Sequence, residues 1–210
     1  TDHYILEQSL QYESGGLMPV TQTTIADSGA QMRSKVEAVL GLIAQNAERA
    51  ESDRRVPTEN IDALRDAGFF KALQPVKFGG TPMGAEDYTP VVVAVATACA
   101  STAWASGLLA QHSHIIAMMS PELQEEIWGD DNDALVSSSV AAINSGTEVP
   151  GGVRINGNWG WSSGCDHAKW AVLGFRRAVP ELDGLVLPFF AVVPMTDITI
   201  IDDWNVAALR

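Results

Sequence analysis

The side chains of this 210-residue sequence that are able to do chemistry fall into a few short clusters. His112 and His114 invite a metal reading, but positions two apart on a helix point about 200° away from each other, and one ion could not take both without unwinding it. Cys165-Asp166-His167, read as a strand, sets Cys165 and His167 on one face, which is two ligands where a closed zinc site needs four. No metal site is expected. His112 keeps two readings, a histidine at the core's edge bonded to a backbone carbonyl or a general base titrating near neutral pH. Ser137-Ser138-Ser139 offers hydroxyls that can donate to a ligand, or that merely blunt an edge strand. Trp159-Gly160-Trp161-Ser162-Ser163-Gly164 reads either as an aromatic wall beside a gap that admits another ring, with serine donors at its rim, or as two tryptophans packed on one core face. Six tryptophans in the chain weigh toward a flat aromatic ligand. A strand followed by G-x-G-x-x-G and a G-x-x-x-x-G-K-[ST] loop are both missing, so no nicotinamide or P-loop site is visible.

These clusters need elements to hold them. Residues 1–30 show no sustained period and read as an extended lead-in. Met32, Val36, Val39, Leu40, Ile43, Ala47 and Ala50 recur at three- and four-residue steps, which predicts one amphipathic helix of about five turns. Val56-Pro57 starts another helix, with Gly68 as its left-handed stop, and 69–80 reads as a loop. The nearly uncharged stretch 84–119 predicts one or two buried helices, and Ser120-Pro121 opens a last one reaching Trp128. Beyond it the pattern turns β-branched with period two. Strands are expected at 134–139, 153–155, 159–163, 170–175, 187–193 and 198–201, with Asn156-Gly157 as a hairpin turn. Helices first and strands second predict an α+β chain with a helical domain over 31–130 and a β domain over 131–210. The sheet looks cut off mid-course.

Thirteen Lys and Arg stand against twenty-six Asp and Glu, a formal charge of −13, which argues against a nucleic-acid surface or an anionic-membrane surface. With 46% hydrophobic and 19% charged residues, the chain is not a disordered acidic tail. No apolar run approaches the ~20 residues of a spanning helix. The first residues lack the basic-then-apolar order of a signal peptide, and Cys99 and Cys165 make no disulfide framework. A soluble, cytoplasmic protein is expected.

Several segments form an ordered series: Arg54-Arg55-Val56-Pro57, Leu73-Gln74-Pro75 with Phe78-Gly79-Gly80, Ala98-Cys99-Ala100-Ser101-Thr102-Ala103-Trp104, His112-Ser113-His114, Ser137-Ser138-Ser139, and Gly157 through His167. From about residue 31 onward the series closely resembles the oxygenase components of two-component p-hydroxyphenylacetate 3-hydroxylases, flavin-dependent monooxygenases built on the acyl-CoA dehydrogenase fold. The resemblance implies an N-terminal helical domain, a middle β domain and a C-terminal helical bundle that this sequence lacks, with assembly as a homotetramer. It implies ortho-hydroxylation of a phenol in aromatic catabolism, using O2 and reduced FMN, with FADH2 as the alternative, through a flavin C4a-hydroperoxide. A separate NADH-dependent reductase would supply the reduced flavin. By the same resemblance Ser163 is the donor near flavin N5, Trp104, Trp161, Ser162 and the serines 137 to 139 line the flavin, His112 acts on the phenol, and Ser138 lies near the substrate. Other readings stay open: another aromatic substrate (a secosteroid phenol, an indole, a chlorophenol), an acyl-CoA dehydrogenase, or a non-catalytic assembly scaffold.

Overall fold

The structure, a computed structural model, describes residues 22–81 and 83–203. Helix α1 spans Gln22–Gln45. Of the expected extended lead-in, residues 1–21 therefore lie outside the described residues, while the part from Gln22 on is helical. Polar residues there hide the apolar period, and no proline interrupts the helix. The helix also does not run unbroken to Ala50. It breaks at Asn46, whose side chain turns aside to donate to Asn60 Oδ1 at 2.7 Å, and α2 follows over Ala47–Ser52.

Helix α3, Thr58–Asp66, begins after Pro57 as the proline predicts. The expected loop 69–80 contains two 3-10 turns, Phe69–Lys71 and Val76–Phe78. The uncharged stretch forms two helices, α4 over Ala85–Ala98 and α5 over Ala100–Ala117, divided where Cys99 adopts an extended backbone. The Cys99 sulfur then caps α5 by accepting from the Thr102 amide. Only α5 is largely buried; Val93 on α4 is 56% exposed. Ser120 caps α6, Pro121–Trp128.

Among the described residues four strands follow: β1 Val136–Val149, β2 Gly152–Ile155, β3 Trp170–Val179 and β4 Leu185–Pro194, in the order β2-β1-β3-β4. The pair β1–β3 is parallel, and the other two are antiparallel. The hairpin turn lies at Pro150-Gly151, where Gly151 takes φ 85°, and not at Asn156-Gly157. Gly157 has another task. A Cβ there would stand 2.1 Å from Asn144 Oδ1, and Asn144 Nδ2 reaches over to donate to the Asn158 carbonyl at 3.0 Å. The expected strands at 159–163 and 198–201 are irregular backbone. At 159–163 the reason is Trp161, whose φ of 66° ends any extended run.

One apolar cluster fastens sheet to helices: Phe78, Ile116, Leu123, Ile127 and Trp128 pack with Val136 and Val172. Full burial of such a side chain contributes about 1.5–3 kcal/mol, so this seam fixes α5 against β1. A second cluster on the opposite sheet face gathers Leu173, Phe175, Ala191 and Val193, with Trp159 packed against it.

Candidate active site

Helix α5 carries Trp104 and His112 about two turns apart, or ~12 Å of rise. His112 is buried at 5% exposure. Its Nδ1 lies 2.7 Å from the Val136 carbonyl, and its Nε2 lies 2.8 Å from Ser138 Oγ. A carbonyl only accepts, so Nδ1 holds the proton, and the Ser138 hydroxyl donates to Nε2. Burial pushes the imidazole below its ordinary pKa, partly offset by the Val136 bond. The result is a neutral histidine with one basic nitrogen aimed at a hydroxyl. Of the two readings of His112, the bond from Nδ1 to a backbone carbonyl is present, and Nε2 faces the Ser138 hydroxyl.

The segment from 156 to 169 crosses to the other side of β1 and is pinned at several points. Ser139 Oγ donates to the Gly160 carbonyl at 2.7 Å. Trp159 Nε1 donates to the Gly174 carbonyl at 2.8 Å. Trp104 Nε1 donates to Ser163 Oγ at 3.0 Å. Gly164, at φ 78°, leans so close to α5 that a Cβ would lie 2.9 Å from Leu109 side-chain carbons. The 3-10 turn Cys165–His167 is held to the helical domain by His167 Nε2 donating to the Val56 carbonyl at 2.9 Å and by an Arg55–Asp166 ion pair at 3.0 Å. Burial also lowers the His167 pKa.

Alternation along β1 separates the three serines. Ser138 meets His112, whereas the Ser139 hydroxyl is committed to Gly160 and the fully buried Ser137 lies 3.5 Å from the Trp170 carbonyl. The hydroxyls of Ser137 and Ser139 are thus turned into the protein. The tryptophans of the 159–164 segment part company, since Trp159 is packed on the sheet while Trp161 is 79% exposed. Ser162 and Ser163 are half-buried beside it. His114 is exposed and stands apart from His112, and Cys165 and His167 sit on a 3-10 turn rather than on one strand face. Among the described residues no group of three or more His, Cys, Asp or Glu could hold a metal. The sequence left the anchors Leu109, Val56 and Val136 unmarked. Two of these act through backbone carbonyls, which no residue type announces.

The exposed faces of Trp104, at 47%, and Trp161, together with the Ser163 hydroxyl, suit a planar heteroaromatic group with a polar edge. Residues 28–129 match the family model described as acyl-CoA dehydrogenase, N-terminal domain. The crystal structure of 3-HSA hydroxylase from Rhodococcus sp. RHA1 matches with a TM-score of 0.80 and 38% identity, over 85% of this chain and 46% of that one. The fold is that of the acyl-CoA dehydrogenases, helices followed by a sheet. Among curated proteins, the oxygenase component of p-hydroxyphenylacetate 3-hydroxylase from Acinetobacter baumannii is 48% identical over 183 residues, 87% of this chain and 43% of that protein. The flavin-dependent monooxygenase oxygenase subunit HsaA of Rhodococcus jostii (strain RHA1) is 40% identical over 178 residues, 84% of this chain and 46% of that protein. Over the part it spans, the chain is similar to the oxygenase components of flavin-dependent monooxygenases, on the acyl-CoA dehydrogenase fold. It spans less than half the length of these curated relatives.

Proposed function

We propose that this chain forms the N-terminal and middle parts of the oxygenase component of a two-component, flavin-dependent phenol hydroxylase. Its substrate would be p-hydroxyphenylacetate or a similar phenol, hydroxylated ortho to the ring hydroxyl. The observation that carries the reading is the neutral, buried His112 with Nε2 held against Ser138 Oγ. Reduced flavin, FMN in this reading with FADH2 as the alternative, supplies the activation of O2 when bound. The residues do the rest. Trp104 and Trp161 would flank the flavin, and Ser163 would donate to its edge. A phenol hydroxyl reaching the imidazole either replaces Ser138 at Nε2 or passes its proton through Ser138 Oγ; in both cases Nε2 is the final acceptor. Taking that proton raises electron density at the ortho carbon, the position to be oxygenated. Burial of the imidazole keeps water from competing as a donor to Nε2.

The reading brings partners with it: an NADH-dependent reductase delivering reduced flavin, a homotetrameric assembly, and a cytoplasmic setting. Among the described residues no helix is long and apolar enough to cross a membrane.

The test uses the complete polypeptide with anaerobically reduced FMN, oxygenated buffer and p-hydroxyphenylacetate. Hydroxylated product is expected from the wild type. His112→Ala should lose at least about a hundredfold in hydroxylation, the usual contribution of a general base, while retaining flavin affinity. Unchanged hydroxylation in that variant would remove His112 from the chemistry.

A further inference from the structure

The contact between Trp104 and Ser163 has only one chemical sense. An indole nitrogen donates and cannot accept, whereas a serine hydroxyl carries one proton and two lone pairs. At 3.0 Å, Trp104 Nε1–H therefore occupies a lone pair of Ser163 Oγ, and the hydroxyl proton must point elsewhere. Two further observations make this more than a packing contact. Trp104 is 47% exposed and its bond to Ser163 lies in an exposed setting, so the indole and the hydroxyl both border open space. The backbone that carries this oxygen has little freedom to move, because Gly164 is pressed against Leu109 and the Ser163 amide donates to the Trp161 carbonyl at 3.0 Å.

The geometry points to Trp104 as a positioning residue for Ser163: its indole N–H takes one of the two lone pairs and keeps the hydroxyl proton off that side, so that the proton is directed toward whatever occupies the open side. The donation also polarises the hydroxyl and strengthens it as a donor. This inference rests on the flavin reading above for the identity of the occupant, and it assigns Trp104 a role beyond lining the site. A ring of similar size without the N–H, as in Trp104→Phe, would keep the wall but free Ser163 to rotate.

The experiment has two arms on the complete protein. In the flavin-free protein, the indole 15N–1H resonance of Trp104, assigned by its loss in Trp104→Phe, should move in Ser163→Ala and return near its original position in Ser163→Thr. An unmoved resonance in Ser163→Ala overturns the inference. In the second arm, with reduced FMN, O2 and p-hydroxyphenylacetate, the share of oxygen released as hydrogen peroxide is measured. Loss of one hydrogen bond's worth of orientation predicts a rise of about fivefold in the peroxide-to-product ratio for Trp104→Phe. A rise at least as large is expected for Ser163→Ala, with no further rise in the double variant. Additive effects in the double variant would show that Trp104 acts independently of Ser163 and would overturn the inference, as would a leak raised by Ser163→Ala but not by Trp104→Phe. A wild-type protein that hydroxylates no phenol would instead overturn the flavin reading, and the indole resonance would then decide the orientation of Ser163 by itself.

Discussion

Replacing Gly164 by alanine strikes the packing that fixes the site-bearing segment, and a second glycine supplies the control. Gly164 and Gly151 both adopt left-handed backbone, at φ 78° and 85°. For an L-residue that conformation costs roughly 1–2 kcal/mol. The two differ in surroundings: a Cβ at Gly151 meets nothing within 4 Å, whereas at Gly164 it would stand 2.9 Å from Leu109 Cδ1 and Cγ. Leu109 is fully buried at 0% exposure, so it has little room to withdraw, and forced overpacking of this kind adds about 1–3 kcal/mol. Gly151→Ala should therefore lose roughly 1–2 kcal/mol and Gly164→Ala about 2–5 kcal/mol. Urea denaturation followed by tryptophan fluorescence and by far-UV circular dichroism measures both, with equal m-values required for the comparison. Equal losses in the two variants would mean that the segment is not seated on α5, and the account of how Ser163 is placed would fall with it.

Three further outcomes follow from the same geometry. His112 and His167 are both held below their ordinary pKa chiefly by burial. The unfolded chain therefore binds protons more readily, so stability should be full above about pH 6.5 and fall as the pH drops through the depressed native values, with His167→Gln flattening that slope below about pH 6.5; a urea midpoint indifferent to pH there would contradict the burial argument. The acid limb of phenol hydroxylation should lie below pH 6.5, because Nε2 must be unprotonated, and a limb at or above pH 7 would exclude His112 as the base. Asn60, at 0% exposure, accepts from Asn46 and donates to Thr102 at 3.1 Å, so Asn60→Ala should cost about 2–3 kcal/mol, whereas Arg55→Ala breaks only a half-exposed ion pair with Asp166 and should cost under about 1 kcal/mol; thermal or urea midpoints would show whether that order holds.

How far the sequence could be read depends on which groups hold each element. Apolar spacing marked the helix around Val36 and Ile43, because burial of one face is what stabilises it, and the lack of charge marked the buried stretch around Leu109. The start of α1 escaped, since polar residues from Gln22 onward carry no period. Strand β1 was expected to end at Ser139 and runs on to Val149, for its second half is largely exposed and its register to β3 shifts between Ser139 and Asn144. Asn156-Gly157 carried a strong turn signal but serves the close approach of Asn144, and the hairpin formed at Pro150-Gly151. His112 and Ser138 were each visible as candidates. Their pairing was not, because it joins a helix to a strand through a register that no spacing rule contains; resemblance alone suggested that both belonged to one site. The commitment of Ser139 to a backbone carbonyl was invisible for the same reason.

The parallel pairing of β1 with β3 has a consequence for which changes of length the chain can absorb. Strand β2 lies on one side of β1 and β3 on the other, so the polypeptide must cross over between Ile155 and Trp170. Most parallel connections use a helix for this passage. Here the passage is the segment that bears Trp161 and Ser163, set between fixed endpoints and tied along its course. Away from Gly157, Trp161, Ser163 and Gly164 its side chains can be exchanged, but a deletion would pull β3 out of register and an insertion would lift Ser163 off α5. The turn between β3 and β4, around the exposed Glu181 to Gly184, carries no such obligation. Insertions and deletions should accumulate there, while the crossover diversifies by substitution at constant length.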